Sequence, residues 1–307
     1  MEFFNNYTGE LIALLTAFLW AVTAMFFEAA GKKIGSLVVN LLRLLMAFVF
    51  LSAYNWFLRG ALFPTDATQF QWFWLAISGI VGFVIGDLFL FQAYVLIGAR
   101  ISMLIMALAP LFSALTAWII LGESMSSTSI FGMILTFSGI AMVVLNKQAK
   151  KEGEKSKFFH FALKHSPIGL LCALGGAFGQ GVGLVLSKYG MQDFDPFASS
   201  QIRILAGITG FVIIFTVSGK WGRLKKALTE TKAMFLTLGG SFFGPFLGVS
   251  FSLMAVSLTS AGIAASIMSI VPVIIIVPAV FVFKEKVALK EVIGALVSTV
   301  GVILFFV

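Results

Sequence analysis

The chain is written twice. Moving Gly244, Gly248, Pro272, Glu285, Gly294 and Gly301 back by 162 positions lays them on Gly82, Gly86, Pro110, Glu123, Gly132 and Gly139. An offset of 160 lays Gly169 on Gly9, Lys188 on Glu28 and Arg203 on Arg43. Such copies are far longer than the roughly 20 to 50 residues of a solenoid repeat, so the duplicated unit is a bundle of several helices. The expected division is a first repeat over residues 1–146, a polar linker over 147–165 and a second repeat over 166–307.

The solvent of this bundle is lipid. Hydrophobic residues make up 60% of the chain and charged residues 11%, against about 45 to 50% and 25% in a soluble domain. Charges are clustered, which leaves ten apolar runs near the roughly 20 residues that cross a bilayer: about 9–31, 36–58, 72–97, 100–121, 126–146, 167–190, 197–219, 233–258, 260–283 and 288–307. Five spans per repeat is an odd number, so the second copy enters the membrane from the opposite face. The expected fold is therefore all-α and integral to the membrane, with ten transmembrane helices arranged as two inverted five-helix repeats around a central cavity.

Loop charge gives an orientation. Numbering loops from the N-terminus, the odd ones hold 17 Lys and Arg and the even ones only Arg59 and Lys188. By the positive-inside rule the linker is cytoplasmic and both termini lie outside, in a cell (plasma or inner) membrane. The same placement of the basic residues accounts for the net charge of +8 without a nucleic-acid partner. Met1 to Tyr7 holds no Lys or Arg, so the first span reads as a retained helix and not a signal peptide. A lone Cys172, and two histidines confined to the linker, His160 and His165, leave no disulfide, no metal site in the bundle and no expected cofactor.

Pro110, Glu123, Gly132 and Gly139, recurring as Pro272, Glu285, Gly294 and Gly301, together with Arg43 and Arg203 early in the second helix of each copy, resemble the ten-helix, two-repeat (EamA-like) branch of the drug/metabolite transporter superfamily. The resemblance covers nearly the whole chain. It implies a basket of ten helices with a substrate cavity lined by the first four spans of each copy, and the fifth and tenth spans at the periphery. It also implies export of amino acids and other metabolites, or exchange of nucleotide sugars and sugar phosphates.

Within that frame the polar residues inside spans are the candidates for chemistry, because a charge in hydrocarbon costs roughly 2.5 to 3.5 kcal/mol on insertion scales. Glu28, Arg43, Asp87 and Arg203 are the charge or coupling candidates. Glu28 and Arg43 lie near one face of the membrane and fit an interfacial ion pair. Arg43 and Arg203, as inverted mates, fit anchors or gates at two opposite mouths, or clamps for a substrate carboxylate or phosphate. Asp87 is near mid-span and its repeat mate is Val249, so packing symmetry does not require an acid there; proton coupling or an amine site is the functional reading, a hydrogen-bonded structural acid the plain one.

Thr16, Trp20 and Thr23 share one helical face, and Gln180 and Ser187 share its counterpart in the second copy. Both faces are polar or small where lipid contact favours Leu and Ile, so they are candidates to line the cavity, as are Tyr94 and Gln92. Pro110, Pro272 and Pro278 lie mid-span, and the first two are the helix-bend candidates. The expected function is a secondary transporter of small molecules by alternating access, not an enzyme, with export of amino acids or related solutes as the expected role. Its partners are a small-molecule substrate and the lipid bilayer, with a proton as the candidate coupling ion. A membrane enzyme acting on lipid, or a receptor or channel, is the alternative; no catalytic cluster in the sequence supports the first.

Overall fold

A computed structural model describes residues 7–152, 166–274 and 289–304. Among these residues the chain is helical with no strand. The first repeat comprises α1 (Thr8–Ile34), α2 (Ser36–Arg59), α3 (Gln69–Gly79), a π-helical turn π1 (Ile80–Gly86), α4 (Asp87–Met106), α5 (Ala109–Leu121) and α6 (Ser127–Glu152). The second comprises α7 (Pro167–Met191), α8 (Pro196–Ser218), the short α9 (Trp221–Ala227), α10 (Thr231–Ser241), a second π-helical turn π2 (Phe242–Gly248), α11 (Val249–Leu258), α12 (Ala261–Met268), α13 (Val271–Ile274) and α14 (Leu289–Ile303). The bulk of the linker, Pro278 and Glu285 lie outside the described residues.

Among the described residues, six helical stretches are long and apolar enough to cross a membrane: 8–34, 36–59, 69–93, 167–191, 196–218 and 231–258. Shorter apolar helices cover 109–121, 127–142 and 292–303. Their outward faces are apolar as well: Phe57 is 82% exposed and Val217 84%. An aqueous surface would carry charge at such positions, and a lipid-facing one carries hydrocarbon. The chain is an all-α, multi-pass membrane protein.

Helix starts follow local chemistry. Thr68 caps α3 in a reciprocal capping box with Gln71, and Ser166, Asp195 and Ser260 each accept a backbone N–H of the first turn of α7, α8 and α12, filling donors that no helical carbonyl reaches. Gly35, at φ +83°, is the one-residue link between α1 and α2.

Helix ends in the interior are set by proline. A proline ring clashes with the carbonyl four residues before it and supplies no N–H. Pro110 therefore ends α4 at Met106, and Pro272 ends α12 at Met268. Both were expected to bend a continuous span; both instead stand just after an outright break, at Ala107–Leu108 and Ser269–Ile270. A boundary between spans near residue 98 was also expected, but helical residues run through it, because Gly98 and Ala99 alone do not interrupt a helix.

The inverted repeat is visible in the packing. Gly9 at the start of α1 lies against Leu258 and Thr259; Gly169 at the start of α7 lies against Leu96 and Ile97, which are the same positions one repeat earlier. The π-helical turns fall at the same place in each copy, and each crosses the first helix of the other copy. Gly82 and Gly86 approach Gly179 and Gly183, while Gly244 and Gly248 approach Thr23 and Trp20. Away from this centre, α6 and α14 form a pair of their own, in which a Cβ on Gly139 would come within 2.4 Å of the Ser298 nitrogen and one on Gly301 within 2.5 Å of that of Thr136. Contact that close supplies dispersion and backbone approach where lipid gives helices no hydrophobic drive.

Candidate functional site

The crossing of the two copies encloses a cavity of about 230 Å³. Its lining draws on α1, α2, π1, α4 and α5 of the first repeat and on α7, α8, π2, α11, α12 and α13 of the second; among the described residues, none of its lining comes from α6 or α14. The two proline breaks face it, through Met106 to Pro110 on one side and Met268 to Val271 on the other. Trp20, Phe27, Phe83 and Phe91 supply aromatic walls, and Thr23, Ser113, Ser252 and Ser269 add hydroxyls.

Charge concentrates at one point. Arg43, Asp87 and Arg203 all line the cavity and are 7%, 4% and 4% exposed. An Arg43 terminal nitrogen pairs with Asp87 Oδ2, and Arg43 Nε donates to Asn40 Oδ1 at 2.8 Å. Gln180 Nε2 donates to Asp87 Oδ1 at 2.8 Å and to the Gly82 carbonyl at 3.1 Å, an acceptor in π1. Both carboxylate oxygens are thus held, one by each repeat. Phe83 faces both arginines, with guanidinium carbons 5.9 Å (Arg43) and 4.8 Å (Arg203) from its ring centre, and Arg43 also faces Phe27 and Phe91.

Arg43 and Arg203, expected near opposite mouths, therefore meet at one central site. Both reach inward along α2 and α8, where each guanidinium exchanges water for a carboxylate or an aromatic face. Arg43 finds an acid in Asp87.

The other candidates separate. Trp20, Thr23 and Gln180 line the cavity. Thr16 and Ser187 are fully buried and spend their hydroxyls on the carbonyls of Ile12 and Gly183, outside the lining. Gln92 is exposed on the outer face of α4. The side chains of Glu28, Tyr94 and Pro272 lie outside the described residues.

A second polar cluster, which the sequence reading did not assemble, ties the copies together at the face bearing the even-numbered loops. Lys188 at the end of α7 pairs with Glu123 beyond α5 and donates to the Thr259 carbonyl at 2.7 Å. Glu123 also accepts the Ala261 N–H at the start of α12, and Thr259 donates to Glu10. Nearby, Gln201 donates to Ser52 and to the Leu62 carbonyl and accepts from Asn55. The signal was present in the doubled Glu123 and in Lys188, but the partners lie far apart in the chain.

The model of the EamA-like transporter family matches this chain twice, over residues 7–145 and 167–307. A protein of Archaeoglobus fulgidus described as an uncharacterized transporter is 24% identical over 297 residues, covering 96% of each chain. A solved crystal structure, 15% identical, superposes over 98% of this chain and 96% of its own with a TM-score of 0.70; at that identity the likeness concerns the fold.

Proposed function

This chain belongs to the EamA-like transporter family, and on that footing we propose that it is a secondary carrier of small metabolites that works by alternating access, with export of amino acids or related solutes as its direction. The observation that carries the reading is the cavity itself: a small, aromatic-walled space at the crossing of two inverted repeats, with a charged and hydrogen-bonded centre to which both repeats contribute. Rocking one repeat against the other would re-form contacts at one mouth and release them at the other. Flux of a labelled solute into proteoliposomes, saturable and accelerated by the same solute on the far side, tests it; turnover of lipid without solute flux would favour a membrane enzyme instead.

The orientation we propose puts the linker in the cytoplasm of a cell with the termini outside. In a background in which Cys172 is replaced by Ser, Thr65→Cys in the loop after α2 is expected to react with a membrane-impermeant thiol reagent in intact cells, and Lys225→Cys in α9 only after lysis. The reverse pattern overturns the orientation and leaves the repeats intact.

The Lys188 cluster is the proposed lock of the face bearing the termini. An ion pair with side chains about one-fifth exposed contributes up to about 1 kcal/mol, which corresponds to a change of roughly fivefold in the balance of two conformations. Lys188→Gln is thus expected to raise, about severalfold by the same arithmetic, the rate at which Ala265→Cys in the cavity is labelled from that face in intact cells. An unchanged rate removes the lock. We further propose a proton as the coupling ion with Asp87 as its carrier, since protonation there would release Arg43.

A further inference from the structure

The two repeats do not treat their arginines alike. In the first, Arg43 is satisfied: Asn40 accepts from its Nε and Asp87 pairs with its terminal nitrogen. In the second, the positions that repeat these partners are Ser200 and Val249. The shorter Ser200 hydroxyl finds no hydrogen-bond partner, nor does the buried Arg203 Nε, and Val249 presents a methyl surface to the cavity. Arg203 is left with the face of Phe83, 4.8 Å away, and with its share of the field of an aspartate whose oxygens Arg43 and Gln180 already hold.

Among the described residues, the cavity consequently encloses two fixed cations and one anion. An excess positive charge in a site this buried is costly until a counter-charge arrives. A guanidinium presents its donors as a flat fork that matches a carboxylate in two parallel hydrogen bonds. We propose that Arg203 is the recognition group for a substrate carboxylate, which occupies the place where the second repeat lacks the counterpart of Asp87. The rest of the ligand is apolar and lies against the aromatic walls formed by Trp20, Phe27 and Phe91, which selects, within the amino acids and related solutes of the carrier reading, acids that carry no ammonium. A monoanion neutralises the site, whereas a phosphate dianion overshoots it. This rests on the carrier reading for its biological meaning but not for its chemistry.

Thermal shifts of the purified full chain with acetate, isovalerate and phenylacetate, each beside its amide, and with phenethylamine and inorganic phosphate, test it. Stabilisation is expected from the carboxylates, rising with the apolar body, and not from the amides or the amine. Arg203→Gln is expected to weaken phenylacetate binding by roughly tenfold or more, the usual loss for a buried charged hydrogen bond. Val249→Asp is expected to abolish it by supplying a tethered carboxylate to Arg203 and to raise the melting temperature of the ligand-free protein, while the isosteric but uncharged Val249→Asn is expected to weaken binding less and to leave that melting temperature unraised.

Equal shifts from acids and amides, a stronger shift from phosphate than from any carboxylate, or phenylacetate binding that survives Arg203→Gln overturns the assignment, whether or not Val249→Asp folds. Proteoliposome flux separates the two readings. Arg203-dependent binding without flux upholds the carboxylate site and sinks the carrier; flux of solutes indifferent to Arg203→Gln upholds the carrier and sinks the site.

Discussion

Asp87→Asn is expected to lower the melting temperature of the purified protein by about 10 °C and to abolish solute flux. The substitution keeps the shape and removes the charge, leaving Arg43 buried, 7% exposed, with neutral amide oxygens, such as that of Asn40, in place of a counter-charge. Removing one partner of a buried pair costs about 3 to 5 kcal/mol, because the surviving charge stays in low dielectric, and about 1 kcal/mol corresponds to 2 to 4 °C in a chain of this order of size. The double variant Arg43→Gln, Asp87→Asn removes both charges and is expected to regain most of the stability and none of the flux. That contrast separates a structural acid from a working one. A double variant that transports as well as wild type, with the same response to a pH gradient, would assign Asp87 to packing and remove it as proton carrier. An Asp87→Asn protein that melts like wild type would mean that Arg43 has another counter-charge.

The parts of this molecule legible in its sequence are those set by period and by duplication. The apolar runs, the odd number of spans per copy and the doubled Gly and Pro positions each follow from residues close together in the chain or at one fixed offset, and these specify an all-α membrane protein of two repeats. What could not be read is set by crossings. Arg43 and Arg203 looked like occupants of opposite mouths, because each stands early in its helix and inversion makes those helices start from opposite faces of the membrane. Only the depth at which α2 and α8 pass π1 decides that both guanidinium groups reach the same phenyl ring. Thr16 and Ser187 illustrate the converse. They share a face with Trp20 and Gln180, yet within a helix a hydroxyl readily bonds the carbonyl four residues back, and both do so while buried against neighbouring helices. The prolines were read as bends because a ring clash predicts disruption but not its extent. Here the helices stop four residues before each ring and restart beside the cavity.

Gly79→Ala is expected to damage stability and substrate binding together, and its neighbours along the same contact show why. A Cβ at Gly79, the last residue of α3, would lie 2.3 Å from the Arg203 carbonyl oxygen and 3.0 Å from its Cα. Those are backbone atoms of α8 and cannot swing aside, so α8 must move as a body. Overpacking of this kind costs about 1 to 3 kcal/mol, and the displaced residue is the one that carries the unpaired guanidinium. One turn on, Gly82→Ala meets nothing nearer than an Arg203 terminal nitrogen at 3.4 Å. Its stability is expected to stay near wild type, with any effect confined to ligand affinity. Gly139→Ala supplies the third case. Its Cβ would collide with backbone of α14, 2.4 Å from the Ser298 nitrogen, but that pair of helices contributes nothing to the described cavity lining. It is expected to lower the melting temperature as Gly79→Ala does while leaving phenylacetate affinity of the folded fraction unchanged. Measured side by side, the three alanines should separate packing from binding. If Gly79→Ala melts and binds like wild type, α3 and α8 have room that this crossing does not allow, and the placement of Arg203 at the centre of the cavity falls with it.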